Sequence, residues 1–271
     1  LNFLAKFLFL QRERGATMKI LLSNDDGIYA EGLRALANSL KAAGHDIITV
    51  APAQEQSANG HAITIRTPLR VTKINNNAEL GQEAYKVNGT PADCIKLALQ
   101  LFADFSPDLV ITGINHGQNL GYDVFYSGTV AAATEGYLQG YNSIALSLAK
   151  GKMRNFSLAA SLAVKIIEEK DKLFDEKTKG SLNINFPDIA REDIQGLKVT
   201  RLAEQIYERF IEERVDPAGR SYFWFVGKKN SGFPLNTDIG AIQNNYISLT
   251  PLNCDLNDDK KIKELNPQDL I

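Results

Sequence analysis

Histidine and cysteine are scarce in this 271-residue chain, which has three histidines (His45, His61, His116) and two cysteines (Cys94, Cys254). The cysteines stand alone, in no CxxC pair. That argues against a disulfide framework or a thiolate zinc site, and it suits a reducing, cytoplasmic compartment. So few histidines provision neither a histidine-dominated metal site nor Ser-His-Asp chemistry. Excess charge of one sign is missing too: 30 Lys and Arg against 32 Asp and Glu leave a net charge of −2, with no basic block. Tight binding to long nucleic acid needs a counterion-releasing surface, so it is not expected. A small phosphorylated ligand needs only one local site. The N-terminal apolar run in residues 1–17, LNFLAKFLFLQRERGAT, is interrupted by Lys6. It falls short of the roughly 20 residues of a membrane span and lacks a small-residue cleavage site. It is read as an extension outside the fold, with Met18 as the working start.

Oxygen ligands, by contrast, are abundant, so a bound metal is expected to be a hard cation such as Mg²⁺ or Mn²⁺. Hydrophobic residues make up 44% of the chain and charged residues 23%, enough to fill a sizeable core. Strand and helix patterns alternate through the first two thirds. MKILLS at 18–23 is an apolar strand stopped by NDDG, and 31–43 carries Leu33, Leu36, Ala37 and Leu40 at helical spacing. DIITVA at 46–51 is a second strand, and 62–66 and 69–74 alternate as a β excursion around Pro68. Pro91 opens a helix running to Phe102 with Thr90 as N-cap, 108–112 is a buried-type strand, and a helix from Gly128 to Leu138 precedes a strand at 143–148. Repeated βα units with near-continuous apolar strands predict an α/β fold: a three-layer, Rossmann-like, mostly parallel sheet. From about residue 188 strand patterns at 197–202, 222–226 and 246–250 lack regular helices between them. The expected organisation is thus an extension (1–17), a catalytic core (18–187) and a β-rich C-terminal extension (188–271) suited to packing on another subunit.

In doubly wound sheets ligands lie beyond the carboxyl ends of the strands. Asp25 and Asp26 end the first strand there, and Gly27 gives the backbone freedom to turn so that both can face one site. Asn-Asp-Asp-Gly is equally good turn chemistry, and spacing alone leaves the two readings level. A divalent cation would relieve the repulsion of two adjacent carboxylates. The loop after the second strand carries Ser57 and Asn59, and Asn115 lies just past the strand at 108–112. Ser127, Gly128 and Thr129 open an Ala-rich helix whose N-terminus can hold a phosphate, though a plain N-cap explains the same residues. Together the strand ends deliver carboxylates, a hydroxyl, an amide and an anion-binding helix start. A cation and a phosphate could share such a site, the metal polarising a phosphoryl oxygen and activating a water.

The segments MKILLSNDDGIYAEGLRAL, APAQEQSANGHAIT, YKVNGTPADCIKLAL and above all GINHGQNLGYDVFYSGTVAAATEG resemble the SurE (stationary-phase survival protein) nucleotidases. LNINFPD at 182–188, GRSYFWF at 219–225 and TD…YISLTPL at 237–252 continue the likeness. The resemblance implies a divalent-metal phosphomonoesterase acting on nucleoside 5′- and often 3′-monophosphates, with short polyphosphate as a further substrate class. It implies Asp25, Asp26, Ser57 and Asn115 as ligands of one Mn²⁺ or Mg²⁺ per subunit, with Asp25 and Asp26 catalytic. It places substrate phosphate at Asn119, Ser127, Gly128 and Thr129, and it implies a homodimer or homotetramer that exchanges C-terminal segments. Hydrolysis through an activated water is favoured over a phospho-aspartate, because aspartyl-phosphate enzymes of the haloacid-dehalogenase kind carry DxD and here the aspartates are adjacent. A nicotinamide-dependent oxidoreductase would need GxGxxG where this chain has NDDGIYAEG. A non-catalytic nucleotide-binding protein on the same scaffold is the remaining alternative.

Overall fold

The computed structural model describes residues 17–75, 78–175, 177–204, 208–228 and 232–265. The expected extension therefore lies, but for residue 17, outside the described residues. The chain runs β1 (Lys19–Ser23), α1 (Glu31–Ala42), β2 (Asp46–Pro52), β3 (Val71–Lys73), β4 (Glu83–Val87), α2 (Pro91–Leu101), β5 (Leu109–His116), α3 (Gly128–Leu138) and β6 (Ser143–Leu148). It continues with α4 (Phe156–Ile167), α5 (Lys170–Leu173), β7 (Ser181–Phe186), β8 (Gly196–Val199), β9 (Glu208–Val215), β10 (Ser221–Lys228), α6 (Asp238–Gln243), β11 (Tyr246–Leu252) and α7 (Asp259–Glu264).

Nine strands form one sheet in the order β3-β4-β2-β1-β5-β6-β7-β11-β8. The six from β4 to β7 are mutually parallel, while β3 and β11 join antiparallel to their neighbours β4 and β7. The chain therefore reverses direction across the sheet between β1 and β5, and this is where a doubly wound sheet opens a crevice at its strand ends. Alternation along β1 shows how both faces are filled. Ile20 and Leu22 point into one apolar cluster with Leu33, Leu36 and Leu40 of α1 and Phe156 of α4. Leu21 points into the other, with Ile95 of α2 and Ala132 of α3. Each fully buried leucine of α1 contributes about 1.5–3 kcal/mol, which holds the strand end bearing Asp25 and Asp26 rigid.

Strand β6 and helix α3 have the bounds read from the sequence, and α2 has the expected Thr90 cap, in a reciprocal capping box with Asp93. The β excursion is smaller than expected. Residues 62–66 form no strand: the Thr64 N–H donates to Asp93 Oδ1 (3.0 Å) and the Ala62 carbonyl accepts from Thr90 Oγ1 (2.7 Å). The Thr90 cap and Asp93 of α2 take the backbone groups that a neighbouring strand would have used. Strand β8 likewise stops at Val199, short of the expected 202. Beyond residue 187, β8 and β11 extend the main sheet, and β9 and β10 pair only with each other.

Candidate active site

The strand ends of β1 and β5 and the loop after β2 converge on a cavity of about 510 Å³. Asp25, Asp26, Ser57, Asn115, Asn119 and Ser127 all line it, so six of the eight residues singled out from the sequence meet in one place. The other two stand directly behind. Gly128 packs so closely on Asp25 that a Cβ there would lie 2.8 Å from the aspartate Cβ, which only glycine avoids. Thr129 is fully buried and its hydroxyl donates to Asp25 Oδ1, so its side chain supports the carboxylate instead of lining the cavity.

The turn that brings both aspartates to one site depends on Gly27, whose φ is +96°. Asn24 braces this turn by donating from Nδ2 to the Gly27 carbonyl at 2.9 Å. Burial raises the Asp25 carboxyl to about 6, and the Asp26 charge pushes the same way against the Thr129 hydrogen bond. Asp26 is also raised, first by burial and then by Glu55, while the His116 N–H, 3.0 Å from Asp26 Oδ2, opposes the shift. A buried and a half-buried carboxylate that resist ionisation side by side are what a bound cation would stabilise.

The donor set fits a hard divalent cation. Thr129 engages one oxygen of Asp25 and His116 one oxygen of Asp26, which leaves a second oxygen on each. Ser57 Oγ donates to Glu55 Oε1 at 2.6 Å, and Asn115 Nδ2 donates to the Gly117 carbonyl at 2.7 Å, leaving the amide oxygen of Asn115 for a metal. Among the described residues no group of three or more His, Cys, Asp or Glu side chains is placed to hold a metal. A cation here would rest on two carboxylates and neutral oxygens, a set that favours Mg²⁺ or Mn²⁺ over softer ions.

The anion side is built by α3. Ser127 caps it, accepting from the Val130 N–H at 3.1 Å. The Gly128 N–H, in the first turn, has no intrahelical acceptor and is available to an anion, while the Thr129 N–H joins its hydroxyl in holding the Asp25 carboxylate. The sequence reading missed Glu55, Asp123, Tyr126 and Lys150, and left His116 without a role, yet all five line the cavity. Lys150 was within reach of the same strand-end rule, since it lies two residues past the end of β6. The loop carrying Ser57 is tied down on its far side. His61 Nε2 sits 3.0 Å from Glu135 Oε2 on α3, and the Gly60 N–H donates to the Tyr126 carbonyl at 3.1 Å.

The family model described as "Survival protein SurE" matches residues 20–209. A protein named 5'-nucleotidase SurE from Prochlorococcus marinus (strain MIT 9301) is 45% identical over 249 residues, covering 88% of this chain and 91% of that protein. Another of the same name from Synechococcus elongatus is 41% identical over 256 residues, covering 92% and 98%. The crystal structure of the SurE protein from Aquifex aeolicus superposes with a TM-score of 0.81 at 36% identity, covering 92% of this chain and 99% of that one.

Proposed function

Because the chain belongs to the SurE family, we propose that it is a metal-dependent 5′-nucleotidase, hydrolysing nucleoside 5′-monophosphates to nucleoside and phosphate. The observation that carries this reading is the single cavity where Asp25, Asp26, Ser57 and Asn115 lie beside the capped start of α3. Nucleoside 3′-monophosphates and short polyphosphate present the same terminal phosphate and are the further substrates to test. A divalent cation, Mn²⁺ or Mg²⁺, would be held by Asp25, Asp26, Ser57 and Asn115, and when bound it supplies Lewis-acid polarisation of the phosphoryl group and activation of a water.

The chain's own groups do the rest. Asn119, Ser127 and the Gly128 N–H orient the phosphate, Thr129 acts through the Asp25 carboxylate that it holds, and the positive end of α3 stabilises the phosphate charge. Lys150 supplies a positive charge to a cavity that also holds four carboxylates, those of Asp25, Asp26, Glu55 and Asp123. Of the two tandem aspartates, Asp26 is the more exposed to the cavity and is the better placed to orient or deprotonate the attacking water. Asp25 is held from behind by Thr129 and Gly128 and acts as a fixed ligand.

The protein is assigned to the cytoplasm on its two unpaired cysteines; among the described residues no helix is long and apolar enough to cross a membrane. Residues 18–187 form the catalytic core in this reading, and 188–271 the oligomerising extension. The β9–β10 hairpin, with Phe223, Trp224 and Phe225 exposed, supports a homodimer or homotetramer.

Phosphate release is to be measured from a panel of mononucleotides and short polyphosphate with Mn²⁺, Mg²⁺ or chelator, for the wild type and Asp25→Asn. Metal-dependent release that the variant loses is the expected result. No release from folded wild type under any condition would leave a nucleotide-binding protein instead.

A further inference from the structure

Two motifs distant from the metal-ligand set, LNINFPD and the Thr237–Asp238 pair, reach the candidate site from below. In β7, Leu182, Ile184 and Phe186 alternate into the main apolar core. The intervening Asn183 and Asn185 are fully buried on the opposite face. There both amides grip one residue of the cavity wall. The Asn119 N–H donates to Asn185 Oδ1 (2.8 Å), and its carbonyl accepts from Asn183 Nδ2 (2.7 Å) and Asn185 Nδ2 (3.1 Å). The Asn119 side chain is fixed in turn by donating to Ser147 Oγ at 2.9 Å.

Two residues on, the Gly121 N–H donates to Asp238 Oδ2 at 2.7 Å. The other oxygen of Asp238 accepts from the N–H groups of Ala203 (2.9 Å) and Ile239 (2.8 Å). The loop from 117 to 126 thus has key backbone groups satisfied by side chains 64 to 117 positions away in sequence, instead of by backbone or a neighbouring strand. Burying three polar side chains here is costly, and Asn183 Oδ1 has no partner at all. Stability alone does not call for such an arrangement, since apolar packing on this face of β7 would be cheaper.

We infer that Asn183, Asn185 and Asp238 are positioning residues, which lock the loop of Asn119 and Gly121 in register with Asp25 and Asp26 so that the phosphate group is held at a fixed distance from the metal ligands. The inference rests on the nucleotidase reading for the identity of the anion. It assigns to the C-terminal third of the chain a direct share in the geometry of a site whose metal ligands all come from the first 115 residues.

Asp238→Asn is the sharpest probe. Its amide oxygen still serves Ala203 and Ile239, but its NH₂ is turned against the Gly121 N–H, so the loop-side bond alone is lost. Asn185→Ala removes the grip on Asn119. A misplacement of about 1 Å costs roughly 100-fold in rate, so kcat for a nucleoside monophosphate is expected to fall by about that factor in both variants. Losing a hydrogen bond that orders a charged-ligand site should weaken inorganic phosphate binding to the Mn²⁺-loaded protein by about tenfold. Mn²⁺ affinity itself, read by calorimetry without phosphate, should match wild type, and hydrogen exchange should speed up in peptides covering 117–126.

Folded variants with wild-type kcat, phosphate affinity and exchange would overturn the inference. So would a parallel loss of Mn²⁺ affinity, which would mean collapse of the whole site. Should Asn185→Ala fail to fold, the near-isosteric Asp238→Asn decides alone. Wild type inert toward every nucleotide would sink the nucleotidase reading, while phosphate titration and exchange would still decide the positioning role.

Discussion

The nine-stranded sheet and the β9–β10 hairpin treat apolar side chains in opposite ways. Every residue of β7 is buried, including Phe186 at 1% exposure, whereas Phe223, Trp224 and Phe225 of β10 are 61%, 55% and 96% exposed. Consecutive strand residues face opposite sides, so aromatics are uncovered on both faces of the hairpin. A two-stranded ribbon is marginal alone, and a contiguous exposed apolar surface marks an interaction site. The hydrophobicity of the sheet's central strands is consumed internally to fix strand ends, and the hairpin's remains available to another surface. The contrast fits the proposed division of labour, chemistry by the sheet and assembly by the hairpin, and each half can be attacked separately.

The largest effect is expected at the sheet's strand ends. Asp25→Asn removes a carboxylate from the candidate metal site, and a cation's charge stabilisation is worth several kcal/mol, so about 4 kcal/mol, or roughly 10³-fold in kcat/KM, should be lost. Its mass in solution should not change, and a variant that also dissociates would break the division of labour from this side.

Substitutions on the hairpin are expected to do the reverse. Replacing Phe223 and Phe225 together by aspartate removes two aromatics from one hairpin face. With about 1.5–3 kcal/mol for each buried phenylalanine, subunit association should weaken by about 100-fold or more, visible by light scattering or sedimentation. Turnover per subunit should stay close to wild type, since among the described residues none of the hairpin lines the cavity. A monomeric wild type, or activity lost together with assembly, would refute the assignment.

A smaller effect tests how the sheet's helices hold the Ser57 loop. Glu135 on α3 is nearly buried and its carboxyl is held down to about 2 by the His61 hydrogen bond first, then by Gln139 and Lys96. A carboxylate whose folded pKa lies below its ordinary 4.5 adds stability that is fully present above about pH 4.5 and is lost as the pH falls toward 2. The partners are partly exposed, so solvent screening reduces the gain, and Glu135→Gln should cost about 1–2 kcal/mol at pH 7. Urea unfolding at pH 7, 4 and 3 should show the gap between wild type and variant narrowing at the acid end. A gap that does not depend on pH would assign the loss to packing.

What the sequence made legible follows the range of the interactions involved. Asp25, Asp26 and Gly27 could be read because turn chemistry is local, and α3 because its Ser127 cap and Ala-rich face are contiguous. The expected strand at 62–66 failed because the competing partners, Thr90 and Asp93, lie 28 and 29 residues downstream of the groups they bind and no alternation pattern contains them. Thr129 was placed at the phosphate by its neighbours in sequence, while its hydroxyl turns back to Asp25 in the turn after β1. The roles of Asn183, Asn185 and Asp238 were invisible for the same reason: LNINFPD reads as an ordinary buried strand until β7 is seen beneath Asn119.

The smallest expected effect sharpens the comparison most, because it lies in the sheet's own scaffold and touches no candidate ligand. Thr90 caps α2, its hydroxyl accepting from the Asp93 N–H at 3.1 Å and donating to the Ala62 carbonyl at 2.7 Å. Loss of such a cap costs about 1 kcal/mol, which in a chain of this size lowers Tm by roughly 2–4 °C. Thr90→Ala also releases one tether of the loop whose other end carries Ser57, so Mn²⁺ affinity should weaken together with the melting point, and Thr90→Ser should restore both. If Thr90→Ala melts earlier but binds Mn²⁺ as the wild type does, the Ser57 loop is held by its Gly60 and His61 contacts to the α3 side alone. The scaffold that sets the site would then be α3 and the sheet, with α2 contributing stability only.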